Sequence, residues 1–354
     1  DIFKAYDGYD IQKTPSFKSV VEYIESQNLL EAQEFWMNYF EKLELSTGFN
    51  YVSPNPSSIK DPVKLDSSVS MKDLTRAAGK SHSTIANLCK TVWALCLRLY
   101  TQHNDIIFGN VVSGRDIPVK EISRIVGLLI NTVPCRIQVK NGTTLSSLIE
   151  QVQEDHAGVS SHSQFSLSNV QKWSGVEATK KLFNTLFVFE NMEIGSSYES
   201  EKSDSLFQYI KNPYSQENFN EFDIQFILFP TTSGLSLSFE FDPKVLDYDF
   251  TSKIAKSFDD ILSRLVESIL QDKQQMIVSD LLDISEKDKK LLMQIGAGPV
   301  FDYPTESVHT IFQSVVSSDP NHIALEHEGR SITYGELDEE SNRVAAALIQ
   351  RGIQ

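Results

Sequence analysis

Residues 81–115 read SHSTIANLCKTVWALCLRLYTQHNDIIFGNVVSGR, and their pattern decides the class of fold. Ser83 or Thr84 offers a side-chain oxygen at a helix start. Ile85, Leu88, Cys89, Val92, Trp93, Cys96 and Leu99 then recur at three- and four-residue steps. That predicts a helix apolar over more than one stripe, hence packed on more than one side. After a polar turn, Gln102 to Asp105, the run Ile106-Ile107-Phe108-Gly109-Asn110-Val111-Val112 is short and apolar, as a buried strand is. Ser113-Gly114-Arg115 ends it.

Upstream, Ser16 is positioned to cap a helix that carries Val20, Val21, Ile24, Ala32, Phe35, Trp36, Tyr39 and Phe40. A Pro-containing polar loop runs from Ser46 to Pro62. Downstream, Val133, Cys135, Ile137 and Val139 alternate with Pro134, Arg136, Gln138 and Lys140, which predicts a half-buried strand. Thr144 caps a helix bearing Leu145, Leu148, Ile149 and Val152. Leu182 to Phe189 reads as a strand buried on both faces. Ile224 to Phe229, a turn at Pro230 to Gly234, and Leu235 to Phe241 form a hairpin. Thr251 is expected to cap a long helix with Ile254, Phe258, Ile261, Leu262, Leu265 and Ile269. The elements lack a strict βαβ rhythm, so the expected class is α/β, a mixed sheet with flanking helices.

The pattern changes after Asp272. Ser285 with Asp288 fits a capping box before a short helix closed by Gly296. Gly298-Pro299 and Pro304 punctuate a connection. A new series follows: helix (Val308 to Val315), strand (Ile323 to Leu325), turn at Glu328-Gly329, strand (Ile332 to Tyr334), helix (Leu337 to Ile349, closed by Gly352). Gly195 to Ser205 is polar and Ser-rich, as a solvated loop is.

The 354 residues carry a net charge of −16, with 48 Asp and Glu against 32 Lys and Arg. Such a surface repels phosphate backbones and anionic lipid, so no nucleic-acid or membrane partner is expected. Cys89, Cys96 and Cys135 lie inside apolar patterns and read as reduced, buried thiols of a cytoplasmic protein. No Cys/His spacing suits a metal.

Several stretches, in order, resemble condensation domains of nonribosomal peptide synthetases. They are the Phe35-Trp36 helix; Trp93 to Tyr100; Asp105 to Gly109; Val112-Ser113-Gly114-Arg115; Val126-Gly127-Leu128-Leu129-Ile130-Asn131-Thr132-Val133-Pro134-Cys135-Arg136; Ser166 to Trp173; and Leu182 to Asn191. Ile332-Thr333-Tyr334-Gly335-Glu336-Leu337 resembles the first signature of adenylation domains. The resemblance implies a chloramphenicol-acetyltransferase-like lobe over 1–272, an inter-domain linker over 273–300, and a short α/β start of an adenylation domain over 301–354.

It also implies a reaction: an amine on one carrier domain attacks an acyl or peptidyl thioester on another. The carriers' phosphopantetheine arms, not this chain, hold the substrates. ATP and Mg²⁺ belong to the complete adenylation domain. The implied partners are upstream and downstream peptidyl carrier domains, an N-terminal condensation lobe and the rest of the adenylation domain. The family's His-His-x-x-x-Asp-Gly motif does not occur here, because none of the seven histidines is adjacent to another. Asp7-Gly8 is preceded by Ile2 and Phe3 where the histidines would stand, so the motif is expected upstream and no catalytic residue is assigned.

The remaining candidates for the lining of a substrate tunnel are Ser113, Gly114, Arg115 and Asn131. For the first three, a tunnel role and a purely structural turn with a paired Arg both stand. For Asn131-Thr132 the structural reading, backbone hydrogen bonding at a lobe junction, is favoured. His162 reads as a solvated loop residue, and Trp173, Phe183, Phe187 and Phe189 as core. Phe219-Asn220-Glu221-Phe222-Asp223 departs from the family's Thr-x-Tyr-Pro-Leu bridging segment. A different class, a condensation-like domain that only binds carriers without catalysis, is separated from the enzyme by whether the upstream motif is intact. A stand-alone acyltransferase is disfavoured by the adenylation-like tail.

Overall fold

The computed structural model describes residues 14–43, 48, 49, 51, 61–177, 179–190, 221–282, 286–298 and 305–353. The expectations for Asp7-Gly8, Gly195 to Ser205, Ser285 and Phe219-Asn220 fall outside these residues. The chain divides into two compact units, Asp1–Asp283 and Ile284–Gln354.

The decisive helix is α4, Ile85–Thr101, capped by Thr84 through the Asn87 N–H. Every residue from Asn87 to Leu97 is buried, so it is packed on several sides as the sequence predicts. It is preceded by α1 (Lys18–Glu25), α2 (Leu29–Tyr39), β1 (Val63–Asp66) and α3 (Met71–Lys80). Ser16 accepts from the Lys18 N–H, and the first helix is not continuous. Asn28 accepts from the Leu30 and Glu31 N–H groups and starts α2 afresh. The sequence reading passes over β1 and α3.

After α4 come β2 (Asp105–Val112), β3 (Asn131–Gln138), α5 (Leu145–Ser160), α6 (Leu167–Trp173), β4 (Thr185–Phe189), β5 (Ile224–Pro230), β6 (Leu235–Phe241), α7 (Tyr248–Leu270) and α8 (Val278–Leu281). Six strands form one mixed sheet in the order β1-β6-β5-β4-β2-β3. β2, β4 and β5 are parallel, while β1, β3 and β6 are antiparallel to their neighbours. The α7 cap is Asp247, which accepts from the Phe250 N–H. Thr251, expected as the cap, is buried one turn in, and its hydroxyl donates to the Asp247 carbonyl.

Alternation along β2 sends Ile106 and Phe108 into the larger core and Ile107 into the smaller. The larger core gathers α3, α4, α5 and α7 around Trp93, Phe226, Phe239 and Phe258. Phe226 stacks on Phe239 at 4.2 Å and meets Phe258 edge-on at 4.6 Å. The smaller core holds Trp36 of α2 and Phe40 just after it, with Phe165, Val170, Leu182 and Phe183.

β3 lies at one end of the sheet, and its outward N–H groups are all accounted for. Thr132 N–H donates to the Asn131 side-chain oxygen at 2.9 Å and Arg136 N–H to the Tyr39 hydroxyl at 2.7 Å. Pro134 has no N–H. The Gln151 amide, oriented to satisfy both groups, sits 3.2 Å from the N and the O of Gln138. β3 is not half-buried as its alternation suggests: Val133 through Ile137 are all buried, Arg136 included.

The second unit contains α9 (Glu286–Gly296), α10 (Val308–Ser318), a hairpin of β7 (Ile323–His327) and β8 (Arg330–Thr333), and α11 (Tyr334–Gln350). Thr333 and Glu336 form a reciprocal capping box at α11. A Cβ on Gly335 would lie 3.2 Å from the Pro320 carbonyl, which accepts the Gly335 N–H at 2.9 Å. A side chain at this position of the Thr-Tyr-Gly-Glu run would crowd the Pro320 carbonyl.

Candidate functional site

The four candidate residues converge at one end of the sheet. Val112 and Asn131 are the last register pair of β2 and β3, and residues 113–130 form the connection between them. Gly114 adopts φ +64, and a Cβ there would sit 1.9 Å from the Leu129 carbonyl oxygen. The chain's own backbone therefore requires this glycine, pressing the strand exit against the 126–130 segment.

Arg115 lies exposed and donates to the carbonyls of Ile122 at 2.6 Å and Ile125 at 3.3 Å. It folds the connection back on itself, a structural task performed on backbone oxygens with no carboxylate partner among the described residues. The Ser113 hydroxyl accepts from the Arg115 N–H at 3.3 Å and remains exposed. Asn131 donates to the carbonyls of Ser163 and Phe165 at 2.6 and 2.9 Å, tying β3 to the segment after α5. His162 departs from expectation: its ring stacks on Phe35 at 4.1 Å and its Nδ1 lies 3.1 Å from the Gly158 carbonyl oxygen.

The connection ends in an exposed apolar ridge. Val126, Leu128 and Ile130 are 71%, 85% and 65% exposed, whereas Ile125 is buried. Phe17, at the start of α1, covers Gly127, where a Cβ would meet its ring at 2.2 Å. Three alternating apolar side chains held out by a braced backbone form a surface suited to an apolar partner.

From the opposite end of the β2–β3 pair, where Asp105 faces Gln138, runs a polar chain that the sequence reading missed. Arg136 donates to both Asp105 oxygens, at 2.9 and 2.6 Å, and to the Tyr39 carbonyl at 2.6 Å. The Tyr39 hydroxyl donates to Asp155 at 3.0 Å. Lys90, 4% exposed, approaches the Asn87 amide oxygen at 3.3 Å and His156 Nδ1 at 3.4 Å. Burial pushes the Asp155 carboxyl up to about 6, against the pull of the Tyr39 hydrogen bond and the Lys90 and Arg136 charges. Burial also lowers Lys90 and His156, the latter further through the Lys90 charge and opposed by Asp116 in the connection. Asp155 shares a helix stripe with Leu148, Val152 and Val159, and a carboxylate on an apolar stripe was the available signal. Burial pushes Cys135 up to about 12 and raises Cys89 and Cys96 further, so no thiol here is activated as a nucleophile. Among the described residues no cluster of His, Cys, Asp and Glu could hold a metal ion, and no helix is long and apolar enough to cross a membrane.

The profile described as "Condensation domain" matches residues 1–292. The chain belongs to the condensation-domain family. Surfactin synthase subunit 3 of Bacillus subtilis (strain 168) is 26% identical across 99% of this chain and 28% of its own length. Bacitracin synthase 3 of Bacillus licheniformis is 26% identical across 97% of this chain, and the match spans 5% of that protein. The chain thus spans a minor part of these relatives. The crystal structure of holo-AB3403, a four-domain nonribosomal peptide synthetase bound to AMP and glycine, superimposes with a TM-score of 0.68 at 17% identity. It covers 93% of this chain and 26% of that one, a likeness of fold. The condensation-domain family thus includes this mixed sheet and its flanking helices.

Proposed function

We propose that residues 1–272 form the second lobe of a condensation domain, that 273–300 connect it, and that 301–354 open an adenylation domain of a nonribosomal peptide synthetase elongation module. The observation that carries the reading is the family match over residues 1–292. The tail adds support: Ile284–Gln354 is compact by itself, and Val308, Val344 and Ile349 there are 84%, 58% and 69% exposed, a surface suited to burial by a larger domain.

The chemistry asks little beyond placement. An α-amine with a pKa of about 7.7–8.0 is substantially neutral near physiological pH, and a thiolate leaves readily. Holding amine and thioester together supplies much of the rate. In this reading the Val126/Leu128/Ile130 ridge and the Ser113 hydroxyl line one wall of the reaction chamber. Arg115, Gly114 and Asn131 hold that wall in place. Proton transfer falls to an imidazole of the other lobe, and phosphopantetheine arms of two carrier domains deliver the substrates.

The test joins this chain to a first lobe bearing the His-His motif and supplies carrier-loaded donor and acceptor. Amide product, followed by mass spectrometry, is expected from the joined domain only, and is lost when the second histidine of the motif is replaced by alanine. Amide from the present chain alone refutes the division of labour. Carrier binding without product, with the motif intact, favours the non-catalytic alternative.

A further inference from the structure

Asn141-Gly142 is the only Asn-Gly pair in the 354 residues. It occupies the tight turn between β3 and α5, where the Thr143 N–H and hydroxyl donate to the Lys140 carbonyl at 3.1 and 2.8 Å. Asn141 and Gly142 are both exposed. Gly142 adopts φ +79, and apart from Gly142 itself and its two chain neighbours no heavy atom lies within 4 Å of the place a Cβ would occupy. Among the described residues neither the Asn141 amide nor the Gly142 N–H has a hydrogen-bond partner. A nucleophilic backbone nitrogen with no side chain to shield it therefore stands next to an unrestrained carboxamide.

We infer that Asn141 is a site of spontaneous covalent modification through a cyclic imide. The Gly142 nitrogen gives up its proton and attacks Asn141 Cγ, a new C–N bond forms, the Cγ–Nδ2 bond breaks, and ammonia leaves carrying the proton. Water then opens the ring. Cleavage at Cγ gives aspartate in a normal backbone, and cleavage at the main-chain carbonyl gives isoaspartate, with the backbone routed through the side chain. No oxidant or cofactor is consumed.

The location gives the reaction a consequence. The same turn seats the segment leaving α7: Val278 N–H donates to the Thr143 carbonyl at 2.9 Å, Leu145 N–H to Met276 at 3.0 Å, and Ser146 N–H to Gln274 at 2.9 Å. Thr144 and Ile277 form an isolated antiparallel bridge. Isoaspartate inserts an extra main-chain carbon two residues before that bridge's neighbour Thr143, and either product adds a negative charge ahead of the α5 cap Thr144.

The experiment incubates the purified chain in mildly alkaline buffer at body temperature and maps its peptides by mass, with isoaspartate separated from aspartate. Conversion at Asn141 is expected to run roughly tenfold or more faster than at the exposed Asn28 and Asn342, which precede side-chain-bearing residues. Isoaspartate is expected to outweigh aspartate. Asn141→Gln abolishes the signal with an unchanged melting temperature. Conversion no faster than at Asn28 and Asn342 overturns the inference, as does aspartate formed without isoaspartate. A glycan on Asn141 also overturns it, since Asn141-Gly142-Thr143 has the spacing of a glycosylation acceptor.

Discussion

Arg136 and Asp105 meet diagonally across the β2–β3 pair through two charge-assisted hydrogen bonds, with side chains 8% and 10% exposed. The remaining guanidinium protons go to the Tyr39, Glu41 and Lys42 carbonyls at 2.6, 3.1 and 3.3 Å, so the ion pair also fastens the end of α2 to the sheet. Removing one partner leaves the other charged and buried. Arg136→Met is expected to cost about 3–5 kcal/mol in urea unfolding, while Arg136→Met with Asp105→Leu costs clearly less. Equal losses in the single and double variants would contradict a buried pair.

Asp155 makes stability depend on acid in an unusual direction. Its folded pKa of about 6 lies above the ordinary 3.8, so the folded chain binds the proton more tightly than the unfolded chain does. Stability from this group is full below the ordinary value and is lost as pH rises through about 6. A two-unit displacement corresponds to roughly 2–3 kcal/mol. Asp155→Asn should therefore flatten the stability profile between those two pH values. Chemical denaturation of both proteins across that window checks it, and parallel profiles would refute the assignment.

Gly114→Ala places a methyl group against the Leu129 carbonyl and holds alanine at φ +64. The conformation alone costs about 1–2 kcal/mol. Amide exchange is expected to accelerate through residues 113–130, with the α4 core unaffected. Uniform loss of protection would locate the strain elsewhere.

Leu128→Ser removes the most exposed member of the ridge and should leave the chain's own stability within about 0.5 kcal/mol. In the joined condensation domain the same change is expected to lower amide formation at least severalfold. A stable variant with undiminished product would mean that the ridge takes no part in the chamber.

The elements with one dominant period were readable from sequence. α4, β2, the β5–β6 hairpin and α11 stand where Leu88, Ile106, Leu235 and Leu337 place them. β3 misled because alternation reports polarity, and Arg136 is polar yet buried by its pairing with Asp105. Such a partner is distant in sequence and invisible to a window. The four-residue β1 and the α3 helix were missed because they follow a Pro-rich stretch whose composition reads as loop. At the site, Gly114 was legible as part of a turn that ends β2, but what presses against it, the Leu129 carbonyl, was not. The Lys90–His156 and Tyr39–Asp155 contacts join residues far apart in the chain, and only Asp155's place on an apolar stripe foreshadowed them.

Because Asn131, Pro134, Tyr39 and Gln151 between them consume or remove the donors along β3, a seventh strand finds little to zip onto there. The flank is shielded from fibril-like stacking between neighbouring chains, and whatever docks beside it must read side-chain shape and charge in place of main-chain hydrogen bonding.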